Sequence, residues 1–257
     1  MVIAAATTVG FVAKCSPERA LGASRGFAGM DGRLLKMLGA QSFPSRVTRG
    51  GTIFMEGSPA DALILIASGI VKAVRATPEL DANVVGLFGP HDCIGAGAVV
   101  FGGVHTVTAY AASPNVDLLR IPADTVREAM AREAEVASAM MHVLFNYTLT
   151  LTAKLDILHA GSVPQRLARL FLMLSDQLGD ELEDGALIIP VCLSRRELAS
   201  FVSARVESVI RVVSAWQKLG ILRTDSTGFE VLAPDALIRI ANGEALELAP
   251  QSQRLLV

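Results

Sequence analysis

Between residues 43 and 122 the apolar positions come in short runs cut by glycine and proline. Arg49-Gly50-Gly51-Thr52 leads into Ile53-Phe54-Met55, and Glu56-Gly57-Ser58-Pro59-Ala60-Asp61 forms a turn cluster. Leu63-Ile64-Leu65-Ile66 reads as a strand, Ser68-Gly69 turns it, and Ile70 to Val74 reads as the next. Strands at this spacing, with turn chemistry between them, predict a small β-barrel or sandwich. From about Ala123 the period changes. Met140, Leu144, Tyr147, Leu151, Leu155 and Leu158 recur at helical spacing, and Leu144, Leu151 and Leu158 stand seven apart. That is a coiled-coil-like seam. The alternative is one amphipathic helix packed on its own domain, but a helix this long needs a partner along much of its length, which favours a dimer seam. Gly161 and Pro164 break the pattern and predict a hinge near 160–164.

Beyond the hinge, Pro164 to Leu178 predicts a helix with Leu167, Leu170, Phe171 and Leu174 on one face. An acidic loop from Gly179 to Asp184 and a short strand from Leu187 to Val191 follow. Ser194 with Glu197 is a capping box, so another helix starts there, with Leu198, Ala199 and Val202 on its buried side. A turn falls at Ser203-Ala204. A second helix runs from about Arg205 to Leu219, with Val209, Val212, Val213 and Trp216 facing in, and Gly220 is placed to end it. Two short helices joined by a tight turn, the second with a polar leading edge, make a helix-turn-helix. Leu222 to Thr224, then Asp225-Ser226-Thr227-Gly228, then Phe229 to Leu232 read as strand, turn, strand: a wing.

Charge sharpens this reading. The 257 residues carry a net charge of −2, so nucleic-acid contact requires a local patch. Residues 194–223 provide one, with Arg195, Arg196, Arg205, Arg211, Lys218 and Arg223 against Glu197 and Glu207, a balance of +4. Hydrophobic residues make up 51% of the chain and the mean hydropathy is +0.46. Yet apolar runs such as Ala62 to Ala67 fall far short of the ~18–20 residues of a spanning helix. No membrane partner is expected. The apolar N-terminus has no basic residue ahead of it, and Lys14 comes after, the reverse of a secretory signal; residues 1–28 read as a tail or short helix. The three cysteines, Cys15, Cys93 and Cys192, form no CxxC pair, which argues for a reduced, cytoplasmic protein with neither a disulfide framework nor a cysteine-only metal site. GxSxG, P-loop, HExxH and dinucleotide motifs are absent. Gly86-Leu87-Phe88-Gly89 and Gly95-Ala96-Gly97 read as turns of the β-region. No enzyme is indicated.

The residues now become specific. Val206-Glu207-Ser208-Val209-Ile210-Arg211 and Trp216-Gln217-Lys218-Leu219-Gly220-Ile221-Leu222 resemble the recognition helix and helix exit of the CRP/FNR superfamily of bacterial transcription regulators, with valine before the glutamate as in the FNR branch. In the front half, Glu56-Gly57-Ser58-Pro59-Ala60-Asp61, Ser68-Gly69-Ile70-Val71-Lys72 and Asp92-Cys93-Ile94-Gly95 are similar to that family's β-roll. The resemblance covers roughly residues 30–240. It implies an α+β chain: a tail (1–28), a cyclic-nucleotide-binding-like β-roll sensor (29–125), a long dimerisation helix (126–162) and a winged helix-turn-helix (163–257). It implies a homodimer on an inverted-repeat site in double-stranded DNA, with RNA polymerase as a further candidate partner. Arg211 suits guanine O6 and N7, Glu207 a cytosine amino group, and Val206 a thymine methyl, with Ile210 on the same base-reading edge. Ser194, Arg195, Arg196, Arg205 and Ser208 suit phosphates. A plain i,i+4 salt bridge between Glu207 and Arg211 is the competing reading. Two departures stand out: Ser203 replaces the usual turn glycine, and Ile210 stands where the FNR branch has serine.

The sensor half departs further. The resemblance implies a glutamate after the roll glycine and an arginine pair about ten residues on for a cyclic nucleotide; here Gly95 is followed by Ala96, the arginine position holds Thr106 and then Val107, and no arginine lies between 76 and 119. A cyclic phosphate buried without a cation is poorly compensated, so cAMP is not expected. Nor is an iron–sulfur cluster, since only Cys15 lies in the tail and Leu119 stands near the roll-cysteine position. Haem held by histidine stays open, with His91 and His105 as candidates and Cys93 as a candidate redox thiol; His142 and His159 show no diagnostic spacing. Two alternatives follow: a haem- or redox-dependent gas sensor of the same family, or a ligand-binding module with a vestigial DNA face.

Overall fold

The computed structural model describes residues 16–77, 80–182 and 185–244. The chain divides into two compact units, one of residues 1–75 and 85–151, the other of residues 76–84 and 152–257. This division cuts the chain near 76, near 85 and inside a long helix near 152, whereas the sequence places boundaries at 125 and 162.

The first unit opens with α1 (Pro17–Gly22) and α2 (Gly32–Ala40). The expected tail therefore divides. Residues 1–15, Cys15 included, lie outside the described residues, while Ala20, Leu21 and Phe27 are buried in the core. The strands follow: β1 (Phe43–Thr48), β2 (Thr52–Phe54), β3 (Ala62–Ser68), β4 (Val71–Thr77), β5 (Leu80–Phe88) and β6 (Cys93–Ile94). Then come α3 (Ala96–Phe101), β7 (Thr108–Ala111), β8 (Asn115–Pro122), α4 (Ala123–Arg132) and α5 (Ala134–His159). One sheet has the order β1-β8-β3-β6 and the other β2-β7-β4-β5.

The unbroken apolar run in β3 is explained by burial on both faces. Ile64 and Ile66 face the other sheet, joined by Val71, Ala73, Phe88, Ala109 and Leu118. Leu63 and Leu65, on the opposite face by the two-residue strand period, pack with Leu21, Leu34, Leu38, Val126 and Met140 from the helices. Strand β8 alternates in the same way, with Val116 and Leu118 between the sheets and Leu119 and Ile121 against the helices.

Gly86 lies inside β5 and not in a turn, and Ala96 and Gly97 lie in α3, whose N-cap is Gly95 with φ +81°. The region 126–162 is also not one helix: Glu133 is extended (φ −125°, ψ 106°) and separates α4 from α5. On α5 the residues expected in the seam differ in burial. Met140 is buried in its own unit and Leu144 packs against that core, whereas Met141, Phe145, Tyr147, Leu151 and Leu155 are exposed; Leu158 is half-buried.

The second unit contains α6 (Val163–Leu178), β9 (Asp180–Glu181), β10 (Leu187–Ile189), α7 (Arg195–Phe201), α8 (Val206–Lys218), β11 (Leu222–Thr224), β12 (Phe229–Val231) and α9 (Pro234–Ala241). Ser162 and Gln165 form a capping box at the start of α6, which fixes the break between α5 and α6 at 160–162. The sheet order is β11-β12-β10-β9. Phe171 meets Trp216 and Phe229 edge-on, with ring centroids 6.2 and 5.0 Å apart. This aromatic cluster ties α6, α8 and the wing into one core. No helix among the described residues is long and apolar enough to cross a membrane.

Candidate nucleic-acid interface

Helix α7 starts where its sequence dictates. The Ser194 amide donates to Glu197 Oε2 at 2.8 Å, and the Glu197 amide donates to Ser194 Oγ at 3.1 Å, so two otherwise unsatisfied donors are met. Leu198, Ala199 and Phe201 bury the inner face. At the turn, Ser203 takes φ +49°, the left-handed region that glycine fills without a Cβ penalty. The strain is held from outside: Arg166 Nη1 on α6 donates to the carbonyls of Val202 (2.7 Å) and Ser203 (3.0 Å). Ser203→Gly is expected to stabilise the protein by about 0.5–1 kcal/mol, the left-handed penalty less the extra chain entropy of glycine; a lower melting temperature for the variant would show the serine to be the better turn residue.

Helix α8 buries Val209, Val213, Ala215 and Trp216. Val212, half-buried, borders that face. Helical geometry then sends Glu207, Ile210, Arg211, Ser214 and Lys218 outward, at spacings of three and four, and all five are exposed. Among the described residues neither Glu207 nor Arg211 is held in an ion pair or side-chain hydrogen bond. The salt-bridge reading of that pair is thereby not what the structure holds. Ser194, Arg196 and Arg205 are exposed as well, while Val206 and Ser208 are half-buried at the start of the helix.

Arg195 and Arg223 of the patch are committed elsewhere. Arg195 is partly buried and donates through Nη2 to Thr224 Oγ1 at 3.3 Å, and burial lowers its pKa. Arg223 Nη1 pairs with Glu230 Oε2 at 2.7 Å across the wing strands. The exposed positive charge is therefore smaller than the count over 194–223 suggests. The wing turn is set by Asp225, whose Oδ1 accepts the amides of Thr227 (2.6 Å) and Gly228 (3.0 Å); the Thr227 hydroxyl and these amides hold its carboxyl below the usual range. A Cβ at Gly228 would lie 2.1 Å from the Ile189 carbonyl oxygen, so only glycine lets β10 approach. Near that turn, the Cys192 thiol donates to the Ser226 carbonyl at 3.3 Å.

The sequence missed Arg166, and it missed Ser214 as a neighbour of Arg211; the 3.6 period counted from Glu207 could have found Ser214.

In the first unit, Cys93 and His105 come together on one cavity of about 370 Å³, while His91 is not in its wall. His91 is an exposed turn residue with φ +73°. Burial pushes the Cys93 thiol far up, with Asp92 adding to the shift, so it stays protonated at neutral pH and is a poor nucleophile. His105 is buried and stacked on Phe54, ring centroids 3.8 Å apart, and burial lowers its pKa. Among the described residues no group of three or more His, Cys, Asp or Glu side chains is placed to hold a metal ion.

A winged helix-turn-helix with a free, polar recognition face, carried with a β-roll, defines a DNA-binding regulator. Residues 44–133 match the model of the cyclic nucleotide-binding domain, and residues 165–240 match that of the Crp-like helix-turn-helix domain. The chain is 30% identical over 210 residues to the CRP-like cAMP-activated global transcriptional regulator of Mycobacterium tuberculosis, covering 82% of this chain and 92% of that protein. It is similar to a CRP-family transcriptional regulator from Thermus thermophilus, with 27% identity, a TM-score of 0.62 and coverage of 80% and 100%. FixK2 from Bradyrhizobium japonicum shares the fold, with a TM-score of 0.65 at 16% identity and coverage of 80% and 99%. The chain belongs to the CRP/FNR family of transcription regulators, and it is a regulator, not an enzyme.

The cyclic nucleotide implied by the first match does not fit the cavity. Among the described residues its wall offers no arginine, lysine or carboxylate, whereas a buried cyclic phosphate needs a cation and charge-assisted hydrogen bonds.

Proposed function

We propose that the chain binds an inverted-repeat site in double-stranded DNA as a homodimer. In this reading Glu207, Ile210 and Arg211, with Val206 at the leading edge, meet the bases, and Ser194, Arg196, Arg205 and Ser208 meet the phosphates. Arg195 holds the wing to α7 and reaches phosphate only from that fixed position. The observation that carries the reading is the outward face of α8: a donor fork and a carboxylate, unengaged, on a helix locked from behind by Trp216. Ile210 is 46% exposed on this polar face; an apolar side chain there suits a thymine methyl. Dimerisation is supported by the apolar residues that α5 leaves uncovered, Met141, Phe145 and Leu155. The cAMP activation named for the mycobacterial relative does not carry over, because the cavity lacks the charge partners a nucleotide needs.

The test is selection of bound fragments from a random duplex library. The expected product is an inverted repeat with half-site centres about 10–10.5 base pairs apart, bound by two chains per duplex in sedimentation. A single, non-repeated element or one chain per duplex overturns the proposal. The phosphate assignment is checked by salt. Arg196→Ala or Arg205→Ala removes one contact per half-site, so the slope of log K against log salt should shallow by about 1.8 while the selected sequence stays the same.

A further inference from the structure

We infer that the β-roll cavity is a binding site for an uncharged, largely apolar small molecule, and not for a nucleotide or other phosphate ester. The cavity lies wholly within the first unit. Its walls are Phe54, Val71, Phe88, Ile94, Val107 and Leu144 with small residues between them. The lining residues with polar side chains are Cys93, His105, Thr106 and Tyr147. A site of about 370 Å³ sits at the lower end of the roughly 300–1,000 Å³ range of small-molecule pockets. Apolar walls give water too few partners to fill such a space.

His105 is kept neutral by its burial, and among the described residues no charged side chain lines the cavity. A phosphate or carboxylate moved there would lose its water and gain no counterion. The exposed part of the lining includes apolar residues too: Phe101 and Val104 line the cavity and are 82% and 51% exposed. One hydrogen-bonding group on the ligand is catered for, because His105 and Thr106 both line the cavity. The ligand class is therefore a neutral aromatic or aliphatic molecule of two to three ring equivalents carrying at most one or two polar atoms.

Two dyes that share one ring system test this. N-phenyl-1-naphthylamine is neutral; 8-anilinonaphthalene-1-sulfonate adds a sulfonate. With the full-length protein the neutral dye should bind saturably, one per chain, at least tenfold more tightly than the sulfonate. Gly97→Leu should weaken the neutral dye at least tenfold by filling the cavity. A Cβ at Gly97 meets only Leu144 Cδ2 at 4.0 Å, so the fold should hold, which near-ultraviolet circular dichroism checks. Thr106→Arg, at an exposed position, should reverse the preference between the dyes without touching the core. The proposal is overturned by equal binding of the two dyes, by no saturable binding of the neutral dye, by binding that survives Gly97→Leu, or by cyclic AMP displacing the neutral dye at comparable concentration. None of these readouts depends on DNA, so failure here leaves the reading of α8 intact.

Discussion

Arg211→Ala is expected to lower affinity for the selected inverted repeat by between about thirty- and twenty-five-thousand-fold. A bidentate arginine–guanine contact is worth about 1–3 kcal/mol of discrimination. A homodimer presents Arg211 to both half-sites, so the loss is incurred twice, about 2–6 kcal/mol in all. Folding should be untouched, because Arg211 is exposed and among the described residues makes no ion pair. The salt slope should also be unchanged, since a base contact releases no counterions from phosphate. That separates Arg211 from Arg196 and Arg205, whose loss flattens the slope and leaves the sequence preference alone. Glu207→Ala should do less to affinity and more to selectivity, relaxing the preference at the base pair it faces. Fluorescence anisotropy at several salt concentrations, with a melting curve for each variant, reads all three quantities. If Arg211→Ala binds the repeat as tightly as the wild type, α8 does not read bases through this residue.

The C-terminal unit was legible because its determinants are local. The Ser194–Glu197 box, the Gly220 exit and the Asp225–Gly228 turn each act over three or four residues, so residue type and spacing name the element directly. What escaped depends on contacts distant in sequence. Arg166 holds the turn carbonyls 36 and 37 residues away, and no local pattern announces it. The commitment of Arg223 to Glu230 follows from strand register, which a count of charges ignores. Residues 16–28 looked like a tail because Ala20, Leu21 and Phe27 form no long periodic stretch; they are ordered by the sheet they cover. On α5 the heptad of Leu144, Leu151 and Leu158 gives a period, but periodicity gives no phase against the neighbouring domain. The roll takes Met140 for its own core, which turns Met141 and Phe145 outward. The cavity was visible only as missing charges, and which apolar side chains enclose it required the strands to be paired.

A second large effect is expected for Phe145→Glu. Phe145 is 59% exposed and Met141 70% exposed on one face of α5, with Leu155 further along. Fully burying such a side chain contributes about 1.5–3 kcal/mol. A two-fold interface is self-complementary, so one substitution removes that contribution from both copies and places two carboxylates in an apolar contact. The dimer dissociation constant should rise at least a hundredfold, an effect of about 3–6 kcal/mol, and sedimentation at micromolar concentration should show a monomer that still melts cooperatively. Met140→Glu gives the contrast. Met140 is fully buried within its own unit, so a carboxylate there should unfold the first unit and not merely separate the chains. If the two phenotypes exchange, the seam has the phase of the heptad and Met140 belongs to it. If Phe145→Glu stays dimeric, the chains associate elsewhere. DNA binding should fail with dissociation even though every residue of α8 is intact: a monomer engages one half-site, and the free energy of the second must then be supplied by another molecule from solution, at the cost of its own translational and rotational freedom. Loss of repeat binding in Phe145→Glu at a wild-type α8, set beside loss in Arg211→Ala at a wild-type seam, separates the two things the regulator needs: a helix that reads and a partner that places a second copy of it.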